Sequence, residues 1–120
     1  MNKDVYILED HRMMSEIVAK AVRDAGFTAH VFGYRNGFLK ALHTSLPYAA
    51  ILDNVTPKFE NGEPEIDMGY HCMREIQEFH PTVRFAFHTS SKTKLLEGLT
   101  DVRFFSSKPA PLKEIADFLQ

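Results

Sequence analysis

Short apolar runs alternate with stretches of helical periodicity along almost the whole chain. Val5-Tyr6-Ile7-Leu8 is one such run, and it ends in two acids, Glu9 and Asp10. A run of this length bounded by polar residues predicts a strand buried on both faces. Apolar residues then recur at Met14, Ile17, Val18, Ala21, Val22 and Ala25, one face of a helix, with Gly26 placed to end it. Thr28–Phe32 predicts a second strand, less apolar and so nearer a sheet edge. Phe38, Leu39, Leu42 and Leu46 mark a second helix, closed by Pro47. The third strand, residues 48–52, stops abruptly at Asp53, and Pro57 begins a loop.

Residues 58–68 carry Gly, Pro and charge without periodicity and are expected to form a long loop. Cys72, Met73, Ile76 and Phe79 give a third helix that starts near Gly69 and closes at His80-Pro81. Residues 83–87 predict a fourth strand running into the polar stretch His88-Thr89-Ser90-Ser91. Leu95, Leu96 and Leu99 suggest a short fourth helix, and residues 102–105 a fifth strand followed by Ser106-Ser107-Lys108-Pro109. Leu112, Ile115, Ala116 and Leu119 form the last helix face, with Pro111 near its first turn. Strands alternating with helices call for an α/β fold: a five-stranded, mostly parallel sheet with helices on both faces. No repeat, low-complexity segment or linker divides the chain, so residues 1–120 are expected to be a single domain.

Composition adds little beyond exclusions. The 120 residues are 44% apolar and 25% charged, the balance of a globular domain with a real core. A net charge of −2 gives no reason to expect a nucleic-acid or membrane-surface partner. The lone cysteine, Cys72, excludes an internal disulfide and a cysteine-based zinc site, and its place in the periodicity puts it in the core. With no signal peptide or membrane-length apolar run, a cytoplasmic location is the expectation.

The candidate chemistry lies at the strand ends. In a parallel sheet every carboxyl end falls on the same edge, where open α/β folds bind their ligands. Glu9 and Asp10, Asp53, Thr89 and Lys108 would therefore converge. Clustered acids attract a hard divalent cation such as Mg²⁺, which takes oxygen ligands. A neutralised phosphoryl group could then be attacked by a remaining carboxylate, with lysine and threonine binding its oxygens. Each residue has a plainer reading too. Glu9 and Asp10 suit a helix N-terminus, and Thr89 and Lys108 suit turns. The six histidines lack metal-ligand spacing, although His11 and His88 adjoin the pocket.

The ordered set resembles the receiver domain of two-component response regulators from Val5 to Leu119. The resemblance rests on Glu9-Asp10, on Asp53 with Pro57 four residues on, and on Gly69, Thr89-Ser90 and Lys108-Pro109. It implies the flavodoxin-like strand order 2-1-3-4-5. It implies Asp53 as phosphoacceptor, and Mg²⁺ held by Glu9, Asp10, Asp53 and the Val55 carbonyl. Thr89 and Lys108 would be the switch pair, with Phe105 at the aromatic switch position. The implied donor is a phosphohistidine on a sensor histidine kinase or phosphotransfer protein, and the role is signalling rather than enzymatic turnover. Three features depart from the family: the long 58–68 segment, the short 92–100 segment, and an end just after the fifth helix, from which no output domain is expected. An alternative is a receiver-like interaction module that signals without phosphorylation. A haloacid-dehalogenase-type phosphatase would need an acid where Val55 stands, and a flavodoxin would need a phosphate-binding first loop.

Overall fold

The computed structural model describes residues 2–90 and 92–120. Met1 and Ser91, the last residue of the polar run after the fourth strand, lie outside the described residues. The chain runs β1 (Asp4–Leu8), α1 (Arg12–Asp24), β2 (Thr28–Phe32), α2 (Arg35–Thr44) and β3 (Ala49–Leu52). Two short strands follow, β4 (Thr56–Pro57) and β5 (Pro64–Glu65), and then α3 (Met68–Phe79). The remainder is β6 (Arg84–Phe87), α4 (Lys94–Glu97), β7 (Arg103–Phe104) and α5 (Leu112–Leu119).

The main sheet is parallel, in the order β2-β1-β3-β6-β7. With the β4–β5 pair set aside, this is the expected 2-1-3-4-5 order. Strand alternation divides the core in two. Tyr6, Leu8, Ala50, Leu52, Phe85 and Phe87 face α2, α3 and the α4 region. Val5, Ile7, Ala49, Ile51 and Ala86 face α1 and α5. Burial on both sides explains why these strands read as unbroken apolar runs. The less apolar β2 lies at the sheet edge, where its pattern placed it.

Gly26 ends α1 with a φ of +92°. Its N–H bonds the Arg23 carbonyl at 2.9 Å and the Phe27 N–H bonds the Val22 carbonyl at 3.2 Å, the paired bonds of a Schellman cap. Cys72 is buried, and burial pushes its thiol pKa up to about 12.

The 58–68 stretch is not wholly irregular. Thr56 and Pro57 pair antiparallel with Glu65 and Pro64, making a small second sheet beside the main one. Several residues of the predicted helix faces also escape the core: Ile17 is 36%, Phe79 66% and Leu112 58% exposed. Leu46 lies beyond the end of α2. No described helix is long and apolar enough to cross a membrane.

Candidate functional site

The first residue past each central strand is tied to the strand beside it. Glu9 N–H bonds the Phe32 carbonyl at 2.9 Å, Asp53 N–H the Leu8 carbonyl at 2.9 Å, and His88 N–H the Leu52 carbonyl at 2.8 Å. Phe105 N–H bonds the Phe87 carbonyl at 3.2 Å. These bonds carry the ladder one residue beyond the strands, so the site backbone is as fixed as the sheet. β1 lies between β2 and β3, so the pocket opens where the strand order reverses.

Glu9 and Asp53 are 3% and 7% exposed, whereas Asp10 is exposed. The three carboxyl groups each offer an oxygen within 4.8 Å of the others. Lys108 reaches in from the loop after β7, its ammonium 2.9 Å from Glu9 Oε1 and 2.9 Å from Asp53 Oδ2. Burial alone would depress the Lys108 pKa, but the two carboxylates outweigh it and hold the pKa above its ordinary value. Burial raises Glu9 from 4.5 to about 7, helped by the Asp53 charge and opposed by Lys108. The Val55 N–H donates to Asp53 Oδ1 at 3.2 Å.

The other expected residues fall around this centre. Thr89 is half-buried, two residues past the end of β6. Phe104 and Phe105 point to opposite sides: Phe104 packs on the α2–α4 side, while Phe105 is buried on the α1–α5 side. Phe105 stands edge-on to Phe118 at 6.0 Å and to His88 at 6.1 Å between ring centroids.

Neither Glu9 nor Asp10 caps α1. His11 does, its Nδ1 accepting from the Met14 N–H at 3.3 Å. The Glu9 Oε2 accepts from the His11 N–H at 3.2 Å. His88 is buried, and its Nε2 accepts from the Ala110 N–H at 3.0 Å, pinning the loop that carries Lys108. Burial and the Lys108 charge push its pKa down to about 4, against the pull of Asp53. The imidazole is therefore neutral, as an acceptor must be.

Gly69 explains itself on the same edge. A Cβ there would lie 2.4 Å from the Asp53 carbonyl oxygen and 2.9 Å from Asn54 Cα. Only glycine lets α3 press this closely on the end of β3. Asn54 was missed by sequence reasoning. It is completely buried and bonds both Asp67 and Tyr70. An asparagine after a strand reads as a turn former, and its partners lie too far along the chain to signal anything locally.

The donor set suits a hard divalent cation. Three carboxylates and one ammonium leave two negative charges when all are ionised. Glu9 Oε1 meets the Lys108 ammonium alone among the described residues. Mg²⁺ asks for oxygen ligands and keeps several waters, which one exposed and two buried carboxylates permit.

No protein-family model matches the sequence, and no curated protein matches it. Solved structures do share the fold. A signal receiver domain of an HD domain-containing protein from Pseudomonas fluorescens Pf-5 superposes with a TM-score of 0.81 at 14% identity, over 99% of this chain and 92% of that one. A CheY-like response regulator receiver domain from Methylobacillus flagellatus gives 0.76 at 16% identity, with 100% of both chains covered. Another CheY-like receiver domain, from Methanospirillum hungatei JF-1, gives 0.79 at 12%, over 98% and 90%. The chain shares the fold of these receiver domains over 98% to 100% of its length.

Proposed function

We propose that residues 1–120 act as one receiver domain, in the cytoplasm, that accepts a phosphoryl group on Asp53 from a phosphohistidine donor. The observation that carries this reading is the buried Asp53 carboxylate, held 2.9 Å from Lys108 beside two further acids on one sheet edge. The donor would be a sensor histidine kinase or a histidine phosphotransfer protein. In the transfer, a carboxylate oxygen of Asp53 forms the new bond to phosphorus. The bond from phosphorus to the donor's imidazole nitrogen breaks, and that nitrogen keeps the electron pair and takes up a proton. Bound Mg²⁺ would neutralise charge on the transferring group, held by Glu9, Asp10, Asp53 and the Val55 carbonyl. Lys108 supplies a compact cation for a phosphoryl oxygen, and the Thr89 hydroxyl offers another a hydrogen bond.

The phosphoryl group carries roughly −1.5 to −2 charges and replaces the single charge of the Asp53 carboxylate. Lys108, now between two carboxylates, exchanges the Asp53 carboxylate for a more highly charged phosphoryl group and keeps Glu9. Thr89 and Phe105 would follow it, shifting an existing balance of two states toward one that a downstream protein reads. Incubation with acetyl phosphate tests the chemistry. An adduct that needs Mg²⁺ and is released by hydroxylamine, as an acyl phosphate should be, supports the reading. No adduct, or one indifferent to Mg²⁺, contradicts it.

One observation favours a second reading, an interaction module that signals without phosphorylation. The segment around β4 and β5 leaves Phe59 and Ile66 59% and 71% exposed. Failure to label with preserved partner binding would favour it.

A further inference from the structure

The N-terminus of α3 is capped from outside its own helix. The first N–H groups of a helix have no partner within it. Asp67, at the N-cap position, has left-handed backbone with φ 64° and makes no capping hydrogen bond. Asn54 does that work. Its carbonyl oxygen accepts from the Gly69 N–H at 3.3 Å, and its side-chain Oδ1 accepts from the Tyr70 N–H at 2.9 Å. Its Nδ2 donates to Asp67 Oδ1 at 2.8 Å. The same Asp67 oxygen accepts from the Thr93 hydroxyl at 2.5 Å, which anchors it against the residue preceding α4.

Asn54 stands between Asp53 and Val55, two of the four residues offered above as metal ligands. A turn of its backbone would swing the Asp53 carboxylate and the Val55 carbonyl together. Mg²⁺ demands near-ideal octahedral geometry, so a small displacement of either ligand costs affinity.

We propose that Asn54 and Asp67 form a latch that positions the 53–55 backbone for metal binding and phosphoryl acceptance. Both are positioning residues, and neither needs to touch the phosphoryl group. The proposal rests on the receiver reading, and it adds a device outside the pocket on which the pocket's geometry depends.

The test is a Mg²⁺ titration followed by backbone amide shifts, with no phosphodonor present. Three proteins of equal net charge are compared: wild type, Asn54→Ala, and the double variant Asn54→Asp/Asp67→Asn. The double variant exchanges donor and acceptor across the same contact, and asparagine tolerates the left-handed backbone at position 67. Asn54→Ala should weaken Mg²⁺ binding about tenfold, the lower end of the cost of losing a group that orients a metal ligand. It should also speed hydrogen exchange at Gly69 and Tyr70. The double variant should recover affinity to within about threefold of wild type, under half a decade in binding constant. Wild-type affinity in Asn54→Ala overturns the latch alone. So does a folded double variant that binds as weakly as Asn54→Ala. If Asn54→Ala does not fold, the double variant decides: near-wild-type affinity supports the latch, and a loss of about tenfold or more in a folded protein overturns it. A wild type whose amides ignore Mg²⁺ overturns the receiver reading and the latch with it.

Discussion

Glu9 and His88 oppose each other in how stability depends on pH. Glu9 rises from 4.5 to about 7 in the folded protein, chiefly through burial. It therefore holds its proton more tightly when folded. Its contribution to stability is complete below pH 4.5 and is lost as pH rises through 7. His88 falls from 6.5 to about 4, again chiefly through burial. Its contribution is complete above pH 6.5 and is lost as pH falls through 4. Each change spans about two and a half decades of proton affinity, which at ~1.4 kcal/mol per decade comes to about 3 kcal/mol. Where the windows overlap, the two slopes largely cancel. Removing either group exposes the other. The assay is urea unfolding in chelator-treated buffer across this pH range, read as variant minus wild type. For Glu9→Gln the difference should rise by about 3 kcal/mol between the ordinary and shifted values of Glu9. For His88→Gln, whose amide oxygen can still accept from Ala110, it should fall by about 3 kcal/mol over the His88 window. Two flat differences, or two of the same sign, would refute the assignment of these buried groups.

Two further perturbations test the packing of the site. Lys108→Ala strips Glu9 and Asp53 of their shared ammonium and should cost about 3 kcal/mol without metal. Mg²⁺ should return part of that loss in thermal melts, and a variant as stable as wild type in chelator contradicts the pairing. Gly69→Ala forces a methyl against the Asp53 carbonyl and should cost about 2 kcal/mol, lowering Tm by roughly 8 °C. Gly26→Ala meets nothing within 4 Å and suffers only from its φ of +92°, so it should cost only about 1 kcal/mol. Calorimetry that ranks the two the other way would refute the close-contact argument.

Much of the frame was legible because strands buried on both faces leave an unmistakable apolar run. Once β1 and β3 were located, Glu9, Asp10 and Asp53 had to share an edge, since parallel strands point the same way. Lys108 followed from the last strand by the same reasoning. The small β4–β5 sheet was hidden because Pro57 and Pro64 face each other in it, and proline ordinarily argues against a strand. Ile17, Phe79 and Leu112 sit at good helical spacing yet remain exposed. Periodicity gives a helix a face, but not the extent of the sheet that face must cover. Asn54 was hidden for a different reason. Its role comes from Asp67 and Tyr70, which are 13 and 16 residues away and meet it only once α3 has docked. His11 capped the helix that the neighbouring acids seemed placed to cap, freeing both for the pocket.

Phosphoryl-dependent signalling requires Asp53 to be the acceptor. The most direct measurement is intact mass after acetyl phosphate treatment of wild type and Asp53→Asn side by side, each with Mg²⁺ and with chelator. A single phosphoryl adduct on wild type with Mg²⁺, absent from the other three samples, is the predicted result. An equal adduct on Asp53→Asn, or none on any sample, would contradict it.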